Sequence, residues 1–234
     1  MNAEELRQPK LLLFDVNETL SDMSQLSECF EAVGAPAGLV TPWFAGVLRD
    51  GFALTITGGT ATFVDLAVQG LYTAFSKVQL NCTIDQAVTQ VMGGFAGLSL
   101  HADVAPGLRR LRAGSVRIVT LSNGSPSVAE NLMQQAGLDD EVEQYLSVEG
   151  VSPWKPATAA YERALATCEV DAADAMLVAV HPWDIDGAIR AGLMAAWIDR
   201  NDGTYPDYFR PPTVRITSVE DLADKLADIF VARS

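Results

Sequence analysis

Residues 11–20 of the chain, LLLFDVNETL, change from apolar to polar at one point, and the fold prediction starts there. The apolar run at 11–14 predicts a strand covered on both faces, because a strand inside a parallel sheet has no polar face. Asp15 ends the run, and Asn17 and Thr19 follow closely. Since ligands of open parallel sheets lie beyond the carboxyl ends of the strands, these polar side chains are the first candidates for a chemical role.

Later segments repeat this strand pattern and alternate with helices. Apolar runs at residues 116–121, 176–180 and 193–198 predict three more strands. Helical spacing of apolar residues covers 127–136, 156–168 and 219–230, and Ser127 with Glu130 resembles a capping box at the start of the first of these helices. Strands that alternate with helices predict an α/β fold with a doubly wound parallel sheet.

Residues 22–100 interrupt that alternation with a purely helical pattern. Apolar residues recur at helical spacing over 63–78 and 84–95, and a further helix is expected near 43–54. No strand pattern separates these helices. The sequence therefore predicts two parts: an α/β core formed by residues 1–20 and 100–234, and an inserted helical cap formed by residues 21–99.

The composition limits the class of protein and its partners. The chain has 234 residues, with 16 Lys and Arg against 30 Asp and Glu, and a formal net charge of −14. This length suits one α/β domain with an insertion. The acidic balance excludes nucleic acid and anionic membrane surfaces as partners, because no basic patch exists to bind phosphates. Three dispersed cysteines, no signal-peptide pattern and no apolar run near the roughly 20 residues of a spanning helix predict a cytoplasmic protein.

Polar side chains follow the other predicted strands as well. Ser122 and Asn123 follow the run at 116–121, and His181 and Asp184 follow the run at 176–180. Lys155 lies just before the predicted helix at 156–168. Because the carboxyl ends of parallel strands meet at one edge of a sheet, these loops should bring two carboxylates, an ammonium, a Ser/Asn pair and a histidine together.

These segments together resemble the motifs of a known enzyme family. LFDVNETL at 13–20, LSNGSP at 121–126, SVE at 147–149 with WKP at 154–156, and WD at 183–184 resemble the motifs of the haloacid dehalogenase superfamily, in its order and over nearly the whole chain. More narrowly, they resemble those of type II 2-haloacid dehalogenases. The resemblance implies a hydrolase with an aspartate nucleophile and a helical cap, a small-molecule substrate, and a homodimer that joins through the cap.

The candidates for catalysis are Asp15, Lys155, Asp184, Thr19, Ser122 and His181. A carboxylate can displace a leaving group and form an ester that water then hydrolyses, which makes Asp15 the expected nucleophile. Lys155 would hold this carboxylate ionised through its opposite charge. The hydroxyls of Thr19 and Ser122 can donate to the same carboxylate, although Thr19 could also cap a helix.

Asp184 is expected to activate the hydrolytic water, and His181 is a second candidate for that role. The family commonly has asparagine at the position of His181. A neutral imidazole can act as a base near pH 7, and a hydrogen-bonded structural role fits this residue equally well. His101, at the return from the cap to the core, is expected to be structural.

Six further residues are candidates for contact with the substrate: Asn17, Asn123, Trp43, Phe44, Tyr161 and Trp183. Asn123 offers amide donors to a substrate or a departing halide, and it also suits a turn. Tyr161 matches an active-site tyrosine of the family, and core packing is its alternative. The three aromatic residues Trp43, Phe44 and Trp183 could line an apolar pocket or belong to the core.

The choice between dehalogenase and phosphatase depends on two positions. Phosphatases of this superfamily resemble Asp-x-Asp at the first motif, whereas this chain has Asn17, which cannot protonate a leaving oxygen. They also place two acids four residues apart after a later strand, and the first of that pair is Val180 here. Magnesium needs several oxygen ligands, so both changes predict no metal and no other cofactor. The pattern favours hydrolysis of the carbon–halogen bond of a short 2-haloacid.

A second feature, besides His181, departs from the dehalogenase pattern. The arginine with which the family clamps its substrate follows a tryptophan in the cap, and here Trp43 is followed by Phe44. Arg49, about two turns on, could substitute for it, although a surface position is the expectation for this residue. The backbone N–H groups of residues 122–124 are alternative donors to a carboxylate. Two other functions stay open: a magnesium-dependent phosphatase, and a relative that binds a small acid or a partner without catalysis.

Overall fold

The computed structural model describes residues 6–150 and 153–232. Six strands are found in this part of the chain: β1 (Leu11–Phe14), β2 (Arg117–Ser122), β3 (Gln144–Ser147), β4 (Ala175–Ala179), β5 (Met194–Ile198) and β6 (Val214–Ile216). They form one parallel sheet in the order β3-β2-β1-β4-β5-β6. β1 lies between β2 and β4, so its carboxyl end is flanked by the loops that follow both neighbours.

The helices of the same residues fall into two groups. The first group follows β1 without an intervening strand and comprises α1 (Leu26–Ala32), α2 (Val40–Thr57), α3 (Phe63–Phe75) and α4 (Ile84–Ala96). The second group alternates with the strands and comprises α5 (Val104–Ala113), α6 (Pro126–Gln135), α7 (Thr158–Cys168), α8 (Pro182–Arg190) and α9 (Val219–Ala232). The predicted α/β fold with a doubly wound parallel sheet is confirmed. Within the described ranges, no helix is long and apolar enough to cross a membrane.

The two faces of the sheet bury different sets of side chains. Successive residues of a strand point to opposite faces, so Leu11 and Leu13 of β1 pack on one side while Leu12 and Phe14 pack on the other. Helices α7 and α8 contribute to the first cluster, and α5, α6 and α9 contribute to the second. Burial on both faces explains why the strand runs of the sequence are continuously apolar.

Two edge strands and one helix start differ from the sequence prediction. β3 is only half-buried along its length, and β6 has three residues with Arg215 exposed, so neither has the continuous apolar run of a central strand. The predicted capping box at Ser127 and Glu130 is wrong, because α6 begins at Pro126 with Ser125 as its N-cap residue. Proline suits the first helical position, since its φ is already helical and it has no N–H to satisfy.

Helices α1–α4 lie within the segment predicted as the cap. Thr62 and Thr83 begin α3 and α4 with capping boxes, in which the threonine hydroxyl accepts a backbone N–H from the first turn. Ser21 and Leu100 pair as an isolated antiparallel bridge where this helical segment begins and ends. Side chains from these helices, such as Trp43, belong to the same buried cluster as the first face of the sheet. The exact limits of core and cap stay a prediction.

Candidate active site

Three charged side chains meet at the carboxyl end of β1. Asp15 directly follows β1, and Asp184 lies in the first turn of α8. Lys155 joins them, because its Nζ donates to Asp15 Oδ1 at 2.9 Å and to Asp184 Oδ2 at 2.6 Å. The Lys155 side chain is completely buried, and only 5% of Asp15 is exposed. Two hydrogen-bonded carboxylates compensate this buried ammonium, which would otherwise be strongly unfavourable.

These contacts keep Asp15 ionised. Burial raises its pKa, but the positive charge of Lys155 and hydrogen bonds from His181 and Thr19 outweigh that effect and hold the pKa of Asp15 well below its usual value. The same attraction acts on the lysine: burial lowers the pKa of Lys155, and the carboxylates of Asp15 and Asp184 raise it above its usual value. At neutral pH the site therefore contains a carboxylate paired with an ammonium.

Thr19 fixes one oxygen of this carboxylate. Its Oγ1 donates to Asp15 Oδ2 at 2.6 Å and accepts the N–H of Val180 at 3.1 Å. Because that N–H occupies the hydroxyl oxygen, the hydroxyl hydrogen is directed at Asp15. The backbone carbonyl of Thr19 in turn accepts from Arg200, whose Nη2 lies at 2.6 Å. The donation that the sequence predicts from Thr19 is thus present.

Ser122 and Asn123 contact other groups than the sequence predicts. Ser122 Oγ accepts the N–H of Gly124 at 2.9 Å, and no hydrogen bond among the described residues joins it to Asp15. The expected donation from Ser122 to Asp15 is therefore not found, because the Ser122 hydroxyl forms its hydrogen bond within its own loop. Asn123 Nδ2 donates to the Lys155 carbonyl at 3.1 Å, and its Oδ1 accepts the Lys155 N–H at 2.9 Å. Asn123 thus orients Lys155, where the sequence predicts contact with the substrate.

Asp184 is completely buried and is more basic than an ordinary carboxylate. Burial raises its pKa more than the attraction of Lys155 lowers it, and the nearby charge of Asp15 raises it further. The Tyr161 hydroxyl donates to the Asp184 carboxylate and lies 3.2 Å from the Asp184 backbone carbonyl. Tyr161 is itself fully buried in α7. The structure therefore places Tyr161 behind Asp184 as an orienting residue, and its contact with substrate stays a prediction.

His181 and Glu18 occupy the other side of Asp15. His181 Nδ1 lies 3.3 Å from Asp15 Oδ2, and its Nε2 lies 2.9 Å from Glu18 Oε2. Burial lowers the pKa of His181, but the hydrogen bonds and charges of these two carboxylates overcome that effect and raise it to about 9. At pH 7 this pKa favours the cationic imidazole, so of the two roles that the sequence leaves open the structure favours the hydrogen-bonded one over the neutral base.

Sequence reasoning misses Glu18, and the missing information is conformational. Glu18 lies in the first motif, but its backbone has a φ of 62°, and its carboxylate meets a histidine 163 positions later in the chain. A positive φ is uncommon for a residue other than glycine. Both histidines of the chain contact Glu18: His181 contacts its carboxylate, and His101 lies 3.2 Å from its backbone carbonyl. Only the folded protein shows these contacts.

Aromatic side chains cover His181. The rings of Phe44 and Trp183 lie 6.3 Å and 4.9 Å from the His181 ring, centre to centre. Trp183 also packs edge-to-face against Phe52 of α2 at 5.0 Å. Trp43 instead donates from Nε1 to a backbone carbonyl of α3 at 2.9 Å and is buried inside the cap. Phe44 and Trp183 therefore form an apolar wall beside the site, and Trp43 belongs to the core.

A cleft between the helical segment and the sheet opens beside Glu18. Its volume is about 360 Å³, and its lining includes Glu18, Phe44, His101, Val180 and Arg200. The cleft thus borders the site at Glu18.

Arg49 does not take part in this site. It pairs with its neighbour Asp50 at 2.8 Å, and 75% of its side chain is exposed, as the sequence predicts for a surface residue. Of the backbone donors considered in its place, the N–H of Gly124 is already bonded to Ser122.

The donor set does not fit a magnesium ion, the metal of related phosphatases. The Lys155 ammonium already joins Asp15 and Asp184, and Val180 offers only an apolar side chain. Asn17, buried two residues after Asp15, is a neutral amide where a phosphatase has an acid. In the part of the chain that the structure describes, no group of three His, Cys, Asp or Glu residues could hold a metal. Magnesium prefers several oxygen ligands, which this edge of the sheet does not offer.

Comparisons with known proteins agree with this geometry. A family model described as haloacid dehalogenase-like hydrolase matches residues 9–192. A haloacetate dehalogenase from Moraxella sp. (strain B) is 22% identical over 95% of this chain and 100% of its own length. An (S)-2-haloacid dehalogenase from Pseudomonas sp. (strain YL) is 25% identical over 92% of this chain and 93% of its own. The structure of an L-2-haloacid dehalogenase from Xanthobacter autotrophicus with chloropropionic acid covalently bound has a TM-score of 0.84 at 20% identity, covering 94% of this chain and 99% of that one.

Proposed function

We propose that this chain, which belongs to the haloacid dehalogenase-like hydrolases, hydrolyses the carbon–halogen bond of a short 2-haloacid and releases a 2-hydroxy acid. The observation that carries the proposal is the ionised carboxylate of Asp15, bonded by Lys155 on one oxygen and by Thr19 on the other. The names of full-length relatives, haloacetate dehalogenase and (S)-2-haloacid dehalogenase, support the substrate class.

In the first step, Asp15 Oδ1 attacks C2 of the substrate from the side opposite the halogen. The carbon–halogen bond breaks, halide leaves with the bonding electrons, and an ester joins Asp15 to the substrate. Lys155 keeps the attacking carboxylate ionised. A halide needs no proton when it leaves, so Asn17 in place of an acid does not impair this step.

In the second step, water attacks the carboxyl carbon of the Asp15 ester. Asp184 takes a proton from that water, and its raised pKa makes it a better proton acceptor than an exposed carboxylate. The bond between the carboxyl carbon and the former Oδ1 breaks, and the alkoxide is protonated through Asp184. Asp15 gives up the second proton of the water to solvent and returns as a carboxylate that carries the oxygen of water, and the inverted 2-hydroxy acid leaves.

Halide release tests the proposed function directly. We expect chloride from chloroacetate or from one enantiomer of 2-chloropropionate, with fluoroacetate as a harder substrate, and equal rates with and without a chelator. Release of phosphate from small phosphoesters that needs magnesium, without any halide release, would instead identify a phosphatase.

Isotope labelling tests the ester. In a single turnover in H₂¹⁸O with excess protein, the label should enter Asp15 and not the hydroxyl of the product. Mass spectrometry of the peptide that contains Asp15 measures this. Label found first in the product would contradict attack by Asp15, because water would then have displaced the halide itself.

The proposal includes a homodimer, a cytoplasmic location and a small-molecule substrate, with no cofactor and no nucleic-acid or membrane partner. The resemblance supports the dimer, and the acidic composition supports the absence of nucleic-acid and membrane partners. Sedimentation of the purified chain measures the oligomeric state.

A further inference from the structure

The two oxygens of Asp15 have different surroundings. Oδ1 accepts from Lys155 Nζ at 2.9 Å. Oδ2 accepts from the Thr19 hydroxyl at 2.6 Å and lies 3.3 Å from His181 Nδ1. If Oδ1 forms the bond to the substrate, Oδ2 becomes the carbonyl oxygen of the ester, and its two partners stay on it.

His181 is held from its far side by Glu18. The Nε2 atom lies 2.9 Å from Glu18 Oε2, so each ring nitrogen faces a carboxylate oxygen. A carboxylate oxygen accepts hydrogen bonds, so this geometry assigns a hydrogen to each ring nitrogen. The ring of Trp183 lies 4.9 Å away, tilted by 38°, and packs against the imidazole.

We propose that Glu18 is a positioning residue that holds His181 Nδ1 as a hydrogen-bond donor to Asp15 Oδ2, so that His181 and Thr19 together form the oxyanion site for hydrolysis of the Asp15 ester. This inference rests on the proposed function, because only an esterified Asp15 develops an oxyanion there.

The bonds and charges that change in the hydrolytic step show where the two donors act. Water oxygen forms a bond to the carboxyl carbon, its proton moves to Asp184, and the π electrons of the carbonyl move to Oδ2. The tetrahedral intermediate then carries a negative charge on Oδ2, next to Thr19 and His181. When the intermediate collapses, that electron pair re-forms the carbonyl. The bond between the carboxyl carbon and the former Oδ1 breaks, and the product leaves with this oxygen.

The donors on Oδ2 favour the second step over the first. During the attack on C2, the carboxylate loses negative charge, so hydrogen bonds to Oδ2 weaken as the reaction proceeds. During hydrolysis, the nearly neutral ester oxygen gains a full negative charge, so the same hydrogen bonds strengthen. Only interactions that are stronger in the transition state than before it accelerate a step.

The position of Glu18 allows a test that disturbs little else. Its side chain is 39% exposed at the cleft, whereas His181 is largely buried. The Glu18 backbone is fixed separately, since its carbonyl lies 3.2 Å from His101 Nε2. Shortening the Glu18 side chain therefore removes the support of His181 without removing a buried group.

The experiment measures the two steps separately in a Glu18→Ala variant. Excess protein is mixed with the 2-haloacid that the wild type turns over, and samples are quenched over time. Ion chromatography follows halide, and mass spectrometry follows the ester on the peptide that contains Asp15. We expect halide release to stay near the wild-type rate and ester decay to slow by about tenfold or more, the size of losing a hydrogen bond to a charged group. The ester should then accumulate.

Two further variants and two controls sharpen this test. Glu18→Gln keeps an acceptor for Nε2 and should restore part of the decay rate. His181→Ala should slow ester decay by about 10²–10³-fold, as loss of one oxyanion donor does elsewhere. Glu31→Gln and Glu28→Gln each remove the same charge from an exposed position of α1, and both should leave the ratio of the two rates unchanged.

The failure of this inference can be told apart from the failure of the proposed function. If Glu18→Ala slows halide release and ester decay by equal factors, or if no ester accumulates, Glu18 does not act on the second step and the inference is wrong, while the dehalogenase proposal stands. If the wild-type protein releases no halide from any 2-haloacid, the proposed function fails and this inference fails with it.

Discussion

The site has two sides that differ in chemistry. On the sheet side, each charged group is paired: Lys155 bonds Asp15 and Asp184, and Tyr161 supports Asp184. On the side of the helical segment, the buried Phe44 covers the site. It stands at the position where the family has the arginine that clamps its substrate. The difference indicates that the sheet supplies the chemistry and the helices supply the apolar cover.

Removal of the nucleophile on the sheet side should lower turnover more than any other change. Asp15→Asn should lower turnover by at least about 10⁴-fold, because an amide cannot form the ester. Steady-state halide release measures the loss. Thermal unfolding serves as the control, and a variant that unfolds normally yet keeps turnover would show that the chemistry lies elsewhere.

Loss of the buried ammonium should affect both stability and activity. Lys155→Met leaves Asp15 and Asp184 buried without a compensating charge, and should lower the free energy of unfolding by about 3–5 kcal/mol. Urea unfolding measures this change. The matched control is Lys10→Met, which removes an exposed lysine paired with Asp174 and should leave the unfolding midpoint nearly unchanged. Equal effects of the two variants would contradict the pairing.

The pairing of His181 with two carboxylates predicts a pH dependence of stability. Its pKa is about 9 in the folded chain against 6.5 for an ordinary histidine. The folded state holds this proton more tightly, so the stabilisation is complete below pH 6.5 and is lost as the pH rises through 9. The loss should amount to about 3 kcal/mol at most.

Urea unfolding across this pH range should show the decline in the wild type, and His181→Asn should remove it. Asp15, which faces the imidazole, has a pKa held well below its usual value and stays ionised throughout the range, so the difference between the two proteins reports His181 itself. A decline of the same size in the variant would assign the pH dependence to another group.

A smaller effect on stability should come from the contact between the helical segment and the sheet side at Trp154. Gly51 of α2 faces the ring of Trp154, next to Lys155, and an added Cβ would overlap that ring. Gly51→Ala should therefore lower the free energy of unfolding by about 1–3 kcal/mol through overpacking. Gly93→Ala in α4, where an added Cβ meets nothing within 4 Å, should instead stabilise by about 0.5–1 kcal/mol. The same sign for both variants would contradict a close contact at Trp154.

The sequence predicts some parts of this protein better than others. The central strands β1, β2, β4 and β5 carry continuous apolar runs, and so the sheet and the position of Asp15 can be predicted. Edge strands β3 and β6 are half-covered and lack such runs. Site residues follow the same rule: Asp15, Lys155 and Asp184 come together as expected, because parallel strands place their following loops at one edge.

Predictions about single contacts are weaker. Asn123 and Tyr161 have the residue types of a substrate site, yet the structure turns them toward Lys155 and Asp184. A side chain with several donors and acceptors can serve either use, and only its neighbours in space decide between them.

The amino-acid sequence alone establishes the α/β fold and the order of its motifs, because hydrophobic periodicity and strand ends are local properties of the chain. The tertiary structure decides which hydrogen bonds each polar group makes. The link from Glu18 through His181 to Asp15 depends on a positive φ in one loop and on a contact across 163 residues, and no local pattern encodes either. The protonation of His181 follows from those two carboxylates, so it too is a property of the folded chain.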